Sequence, residues 1–137
     1  MATFSWALPV NGTWTTAANW SPATVPNDAA ADVVIDAPAT AAGGYTVTLP
    51  ANTTVTLDSL TINGVNNFDG SNTADYKAAA FDLAGALAFA PGSAGTIGGS
   101  LQTYMHVGSG VNAEMINVGT INAFVQSSGT LLMTGTN

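Results

Sequence analysis

The clearest structural pattern in this chain runs through residues 45–62, which read YTVTLPANTTVTLDSLTI. Large apolar residues alternate with threonine at 45–49 and 53–57, and a third run follows at 60–62. A period of two places successive side chains on opposite faces of a β-strand. The residues Pro50-Ala51-Asn52 and Asp58-Ser59 interrupt the alternation, as turn residues do. The stretch therefore predicts three short, closely spaced strands.

The flanking segments continue this pattern on both sides. Residues 32–36 form a β-branched run that predicts another strand. Residues 73–80 favour a helix by composition, but the large apolar residues of 81–89 all occupy odd positions, with small or polar residues between. These residues are Phe81, Leu83, Leu87 and Phe89. The spacing favours two strands with a kink at Gly85, and a short helix over 73–80 is the alternative.

The C-terminal half contains a short internal repeat. Its copies are Gly95-Thr96-Ile97, Gly119-Thr120-Ile121 and Gly129-Thr130-Leu131, with a looser copy at Gly85-Ala86-Leu87. The interval between the copies at Gly95 and Gly119 is the longest. A unit of about 20–25 residues with short strands and glycine or asparagine corners is typical of a solenoid. We therefore expect an all-β fold, a parallel β-solenoid (β-helix), with a β-sandwich as the alternative.

Residues 1–30 differ in character from the rest of the chain. They hold all three tryptophans, Trp6, Trp14 and Trp20, and three of the six prolines. We interpret residues 1–30 as an aromatic cap over the end of a hydrophobic core. The even separations of the tryptophans also allow a shared face that contacts carbohydrate. Residues 31–137 are then the solenoid coils, with a polar insertion loop near 64–77, in one structural domain.

The composition excludes several classes of partner. The net charge is −7, and Lys77 is the only lysine or arginine, so the chain does not neutralise a phosphate backbone or an anionic membrane. No apolar run is long enough to span a bilayer. We therefore expect no nucleic-acid binding and no membrane insertion. Mean hydropathy is +0.30 although only 7% of residues are charged. This combination indicates very regular burial or contacts with other chains.

The residues suited to catalysis are few. His106 is the only histidine, there is no cysteine, and no Gly-x-Ser-x-Gly motif occurs. Glu114 is the only glutamate, and Asp28, Asp32 and Asp36 recur at every fourth position around an apolar strand. These patterns are more typical of solvated strand ends than of a paired-carboxylate site. We expect no catalytic residues, and a polysaccharide lyase or hydrolase fragment remains as a second alternative function.

One loop has oxygen-bearing side chains at alternate positions, namely Asp69, Ser71, Thr73 and Asp75. This spacing is similar to the first half of an EF-hand loop, but Ala74 and Ala80 stand where that motif requires glycine and glutamate. We regard the four residues as a candidate Ca²⁺ site, with a polar insertion loop as the alternative. No other cofactor is expected.

The order of motifs in residues 12–64 resembles a known group of proteins. Residues 14–21 (WTTAANWS), the Val25-Pro26 pair, the strand at 32–35 and the run at 55–62 are similar to the N-terminal region of large bacterial exported β-solenoid surface proteins, the autotransporter-like and haemolysin-type adhesins. The resemblance implies an extracellular structural or adhesive role. It also implies export by a route other than an N-terminal signal peptide, since residues 1–6 have neither a basic nor an apolar signal region.

The expected function is therefore that of a non-enzymatic structural protein of the bacterial surface. The pattern continues through residues 131–137 with no charged cap, which predicts an open strand edge and thus a fragment of a longer chain or a subunit that stacks on another. We expect a building block of an extracellular fibre, adhesin or surface layer that associates through open strand edges. The first alternative is a carbohydrate-binding module that contacts surface glycans.

Overall fold

The computed structural model describes residues 2–35, 45–62, 79–99, 104–121 and 124–135. Within these ranges the regular structure consists of fifteen β-strands and one 3-10 helix, Ala17–Asn19. The strands form three sheets. Sheet A contains, in spatial order, β13 (Thr120–Ile121), β10 (Thr96–Gly99), β7 (Ser59–Ile62), β4 (Ala31–Ile35), β1 (Ala2–Trp6) and β3 (Trp20–Ser21). Sheet B contains β14 (Phe124–Ser127), β11 (Tyr104–Val107), β8 (Ala79–Leu83), β5 (Tyr45–Leu49) and β2 (Gly12–Thr13). Sheet C contains β15 (Thr130–Thr134), β12 (Asn112–Ile116), β9 (Ala86–Phe89) and β6 (Thr54–Leu57).

The chain enters the three sheets in rotation. From β4 onward, each strand in sheet A is followed by one in sheet B and then by one in sheet C. Each strand pairs in parallel with the strand three places later in the chain, as β4 does with β7. The all-β prediction is confirmed. Antiparallel pairing, the basis of a β-sandwich, is confined in the described residues to β1 and β3.

The parallel register aligns apolar side chains in columns. Val33, Leu60, Ile97 and Ile121 succeed one another in sheet A. Val47, Phe81, Met105 and Val125 do so in sheet B, and Val55, Leu87, Met115 and Met133 in sheet C. Inward residues from all three sheets join one hydrophobic cluster. Because full burial of each such side chain contributes about 1.5–3 kcal/mol, these columns are the main stabilising element.

The strands expected around residues 45–62 are confirmed, as is the strand at 32–35. The odd-numbered apolar residues of 81–89 lie on β8 and β9, which are separated by Ala84-Gly85, so the predicted kink is also confirmed. The helical alternative for 73–80 falls mostly outside the described residues, where the expected insertion loop near 64–77 also lies.

The N-terminal segment, which the sequence predicts to be a cap, also contributes strands to the sheets. β1 lies between β3 and β4 in sheet A, and β2 pairs with β5 at the edge of sheet B. This part of the chain therefore extends two of the sheets before it folds over their ends. In the described residues, no helix is long and apolar enough to cross a lipid bilayer.

Candidate functional site

One end of the three sheets is covered by residues 7–30, and we call it the closed end. Trp6, Trp14 and Trp20 all lie there and are no more than 2% exposed. Trp20 packs edge-to-face against both others, with ring centroids 4.9 Å from Trp6 and 4.7 Å from Trp14. Each indole N–H donates to a backbone carbonyl within the segment, on Val10, Pro26 and Trp14 respectively. This is the satisfied, buried arrangement that a packing role requires.

The buried position of the tryptophans bears on the carbohydrate alternative. A ring that stacks on a sugar must present one face to solvent, and none of these three does so. Two large apolar side chains of the same segment are exposed, Leu8 by 62% and Val10 by 49%, but neither is aromatic.

Two asparagines at the closed end bond to strand edges, and the sequence pattern did not single them out. Asn11 Oδ1 accepts the backbone N–H of Thr46 in β5 at 2.8 Å, and Asn27 Oδ1 accepts that of Thr56 in β6 at 2.9 Å. Each amide takes the place of a neighbouring strand at an edge that otherwise offers a free donor. The available signal was local, since both residues lie in turn-rich contexts, Pro9-Val10-Asn11-Gly12 and Pro26-Asn27-Asp28.

The opposite end, formed by β13, β14 and β15, we call the open end. These strands are the last members of sheets A, B and C in the described residues. Side chains of the sheet C column become exposed at this end. Leu87 and Met115 are at most 1% exposed, whereas Met133, next in the same column, is 52% exposed. Leu132 is 53% exposed beside it. Among the described residues, the open end therefore presents apolar side chains beside strand edges that no further strand covers.

The residues considered for catalysis lie on different elements, and one of them, Asp28, belongs to the segment that covers the closed end. His106 is exposed on β11, directly opposite Asp82 of β8 in the ladder. Asp32 accepts a hydrogen bond from the hydroxyl of Ser59, and Asp28 accepts one from the backbone N–H of Ala30. These two aspartates thus have structural partners.

All four metal-ligand candidates lie outside the residues that the structure describes. Asp69, Ser71, Thr73 and Asp75 lie outside the described residues, as do Asp36 and Lys77. Among the residues that are described, no group of three or more histidine, aspartate or glutamate side chains is placed to hold a metal ion.

Comparisons of this chain with protein-family models, with curated proteins and with solved structures give no match.

Proposed function

We propose that this chain is a non-enzymatic structural unit of a bacterial cell surface, a parallel β-solenoid closed at one end and available for association at the other. The solenoid interpretation is supported by the rotation of consecutive strands through sheets A, B and C and by the continuous inner columns. In such a fold each coil contacts only its neighbours, so the last coil exposes surface that another coil would bury.

The single observation that carries the proposal is the exposure of Met133. Its column neighbours are buried because a coil lies on each side of them, whereas the described residues place a coil on only one side of Met133. Parallel strands with free edges and apolar side chains are a template for pairing with another chain. The partner is another copy of this chain or further coils of a longer polypeptide, and both use the same edges.

The asymmetry of the two ends constrains the assembly. Because residues 7–30 cover the closed end, a second copy meets the first through two open ends, which gives an isologous two-fold pair. Growth into a fibre, adhesin or surface layer then requires contacts along the sides of the sheets or further coils in the same polypeptide. The extracellular location belongs to the same proposal and is supported by the sequence resemblance of residues 12–64.

The test is the mass of the purified chain by analytical ultracentrifugation across a wide concentration range, with negative-stain microscopy of the same samples. We expect a concentration-dependent pair that the double variant Leu132→Lys/Met133→Lys abolishes. Leu8→Lys introduces the same charge at an exposed apolar position of the closed end and should leave association unchanged. A monomer at every concentration would overturn self-association.

The same samples test the candidate Ca²⁺ loop. Adding Ca²⁺ or a chelator should leave the assembly unchanged if the loop at 69–75 is a polar insertion. If Ca²⁺ changes the mass, and if Asp69→Asn/Asp75→Asn removes that change, the loop is a metal site.

A further inference from the structure

A polar groove lies on the side of the molecule, at the corner where sheet B passes into sheet C. Its volume is about 420 Å³, including the solvent at its mouth. The groove is lined by residues 52–54 and 84–86 and by Asn112 and Glu114. It lies apart from the closed end, and its wall on β12 adjoins β15 of the open end, where Leu132 is the register partner of Glu114.

The groove arises from unequal corners in successive strands. Residues 50–53 connect β5 to β6, and residues 108–111 connect β11 to β12, whereas the connection between β8 and β9 has only Ala84 and Gly85. Both of these residues donate their N–H groups to the carbonyl of Leu49, at 2.9 and 3.1 Å. A short corner held between two longer ones projects less than either, so the surface is recessed there.

The floor of the groove has almost no side-chain volume. Gly85 is buried, and a Cβ at this position would lie 2.3 Å from the carbonyl oxygen of Thr53 and 2.4 Å from that of Pro50. Its neighbours Ala84 and Ala86 contribute only methyl groups. Glycine is therefore required at position 85, because the corner formed by residues 50–53 lies too close for a Cβ. The surface is recessed there because this position has no side chain.

The walls of the groove come from the strands on either side of β9. Thr54 and Glu114 are both register partners of Ala86, in β6 and β12. With a spacing of about 4.8 Å between neighbouring strands, their backbones are roughly 10 Å apart. This separation leaves space between the wall side chains for one narrow, extended ligand over the small residues of the floor.

The polar groups of the walls are available for a ligand. In the part of the chain that the structure describes, no hydrogen bond engages the side chains of Asn52, Asn112 or Glu114. Two amides and a carboxylate offer donors and acceptors together with one negative charge. No basic residue is in the lining, and the chain carries a net charge of −7. A ligand with carboxylate or sulfate groups would therefore be repelled.

We propose that this groove binds a saccharide chain built from neutral or amine-bearing sugars. Glu114 accepts a hydrogen bond from a hydroxyl or an ammonium group, and the amides of Asn52 and Asn112 donate to and accept from neighbouring hydroxyls. Ala86 lies against the apolar face of a ring. Neutral and amine-bearing sugars offer the same hydroxyl groups. Only the amine-bearing sugars add an ammonium group that donates to the carboxylate of Glu114. The site does not use the backbone edge of β15, although Glu114 is the register partner of Leu132 in that strand.

Isothermal titration calorimetry with three hexasaccharides tests the proposal: N-acetylglucosamine hexamer, glucosamine hexamer and galacturonate hexamer. We expect the first two to bind and the third not to bind. Ala86→Tyr fills the groove and should weaken both by at least about tenfold. Glu114→Gln should weaken the protonated glucosamine hexamer by about tenfold and change the acetylated hexamer little, because a charge-assisted hydrogen bond is lost only in the first case. Thr61→Tyr is the matched control, since Thr61 is also an outward, half-buried strand residue.

Amide NMR spectra of each variant report whether it is folded and where the sugar binds. Shifts on titration should be concentrated at residues 52–54, 84–86 and 112–114. The proposal is overturned if none of the three sugars binds, if galacturonate binds as tightly as glucosamine, or if folded Ala86→Tyr binds like the unmodified chain.

Discussion

The indole ring of Trp14 packs against the phenyl ring of Phe81, with 5.7 Å between the ring centroids. Trp14 belongs to the covering segment, and Phe81 lies in the middle of the sheet B column. Both side chains are fully buried, and the indole N–H of Trp14 donates to the carbonyl of Pro26 at 2.9 Å. The closed end is therefore part of the same packed core as the sheets.

Replacement of Trp14 by alanine should lower the free energy of unfolding by about 3–5 kcal/mol, the range for deleting a buried aromatic ring. Trp14→Phe should cost less, because a ring remains while the hydrogen bond to Pro26 is lost. Urea unfolding followed by circular dichroism measures both. Leu8→Ala is the control, with an expected change within about 0.5 kcal/mol since Leu8 is exposed. Equal effects of Trp14→Ala and Leu8→Ala would contradict a structural role for the aromatic cluster.

Asn27 should control hydrogen exchange at a single backbone amide. In Asn27→Ala the N–H of Thr56 loses its acceptor, and its exchange should accelerate by about three- to tenfold, as expected for a net loss near 1 kcal/mol. Asn27→Asp keeps an oxygen at the same position and should preserve most of the protection. Residue-resolved exchange by NMR makes the comparison, with the amide of Thr46, bonded to Asn11, as an internal reference. Unchanged exchange at Thr56 in the alanine variant would show that Asn27 does not cover this edge.

A methyl group at Gly85 should be strongly destabilising. The added Cβ meets two carbonyl oxygens of the neighbouring corner at 2.3 and 2.4 Å, so Gly85→Ala forces the two corners apart and should cost about 1–3 kcal/mol or more. Gly98→Ala is the matched control, because the nearest atom to its added Cβ is 3.7 Å away. That variant should be neutral or slightly stabilising, since alanine reduces the entropy of the unfolded chain. Chemical unfolding midpoints separate the two cases, and similar midpoints would contradict the close approach at Gly85.

Much of the strand pattern was readable because the inward positions are consistently large and apolar. In β5 and β6 the alternation of residues such as Val47 and Val55 with threonine coincides with the buried and half-buried faces. In β8, Phe81 and Leu83 are likewise buried on either side of half-buried Asp82, and Ala79 and Ala80 belong to this strand despite their helix propensity, whereas β9 is buried at three consecutive positions, 87–89. Local periodicity reports burial directly, so no knowledge of distant contacts was needed.

The glycine repeat is visible in the sequence, but its copies occupy two different kinds of position in the fold. Gly95 and Gly119 both precede strands of sheet A, and the N–H of Gly119 donates to the carbonyl of Gly95. Gly85 and Gly129 instead precede strands of sheet C, and both are crowded by the carbonyls of a neighbouring corner. The long interval from Gly95 to Gly119 is thus one full passage through the three sheets, whereas the shorter intervals on either side of it lie within a passage.

The groove and the asparagine contacts were not readable from the sequence, because they depend on irregular coil lengths. In sheet A, the register pairs Asp32–Ser59, Ser59–Thr96 and Thr96–Thr120 are separated by unequal stretches of chain. A regular solenoid repeat of about 20–25 residues matches only the last of these pairs. Without the register, nothing in the sequence indicates that Thr54 and Glu114 flank the same alanine.

The two methionines of the sheet C column should respond very differently to the same substitution. Met115 is 1% exposed between Leu87 and Met133, so Met115→Ala should lower the free energy of unfolding by about 2–5 kcal/mol. Met133 is 52% exposed, so Met133→Ala should cost less than about 1 kcal/mol in the monomer. Urea unfolding at low protein concentration measures both, and at high concentration the loss at Met133 should grow if open ends associate and bury this side chain. A cost at Met133 that does not change with concentration would mean that association, where it occurs, leaves Met133 in solvent.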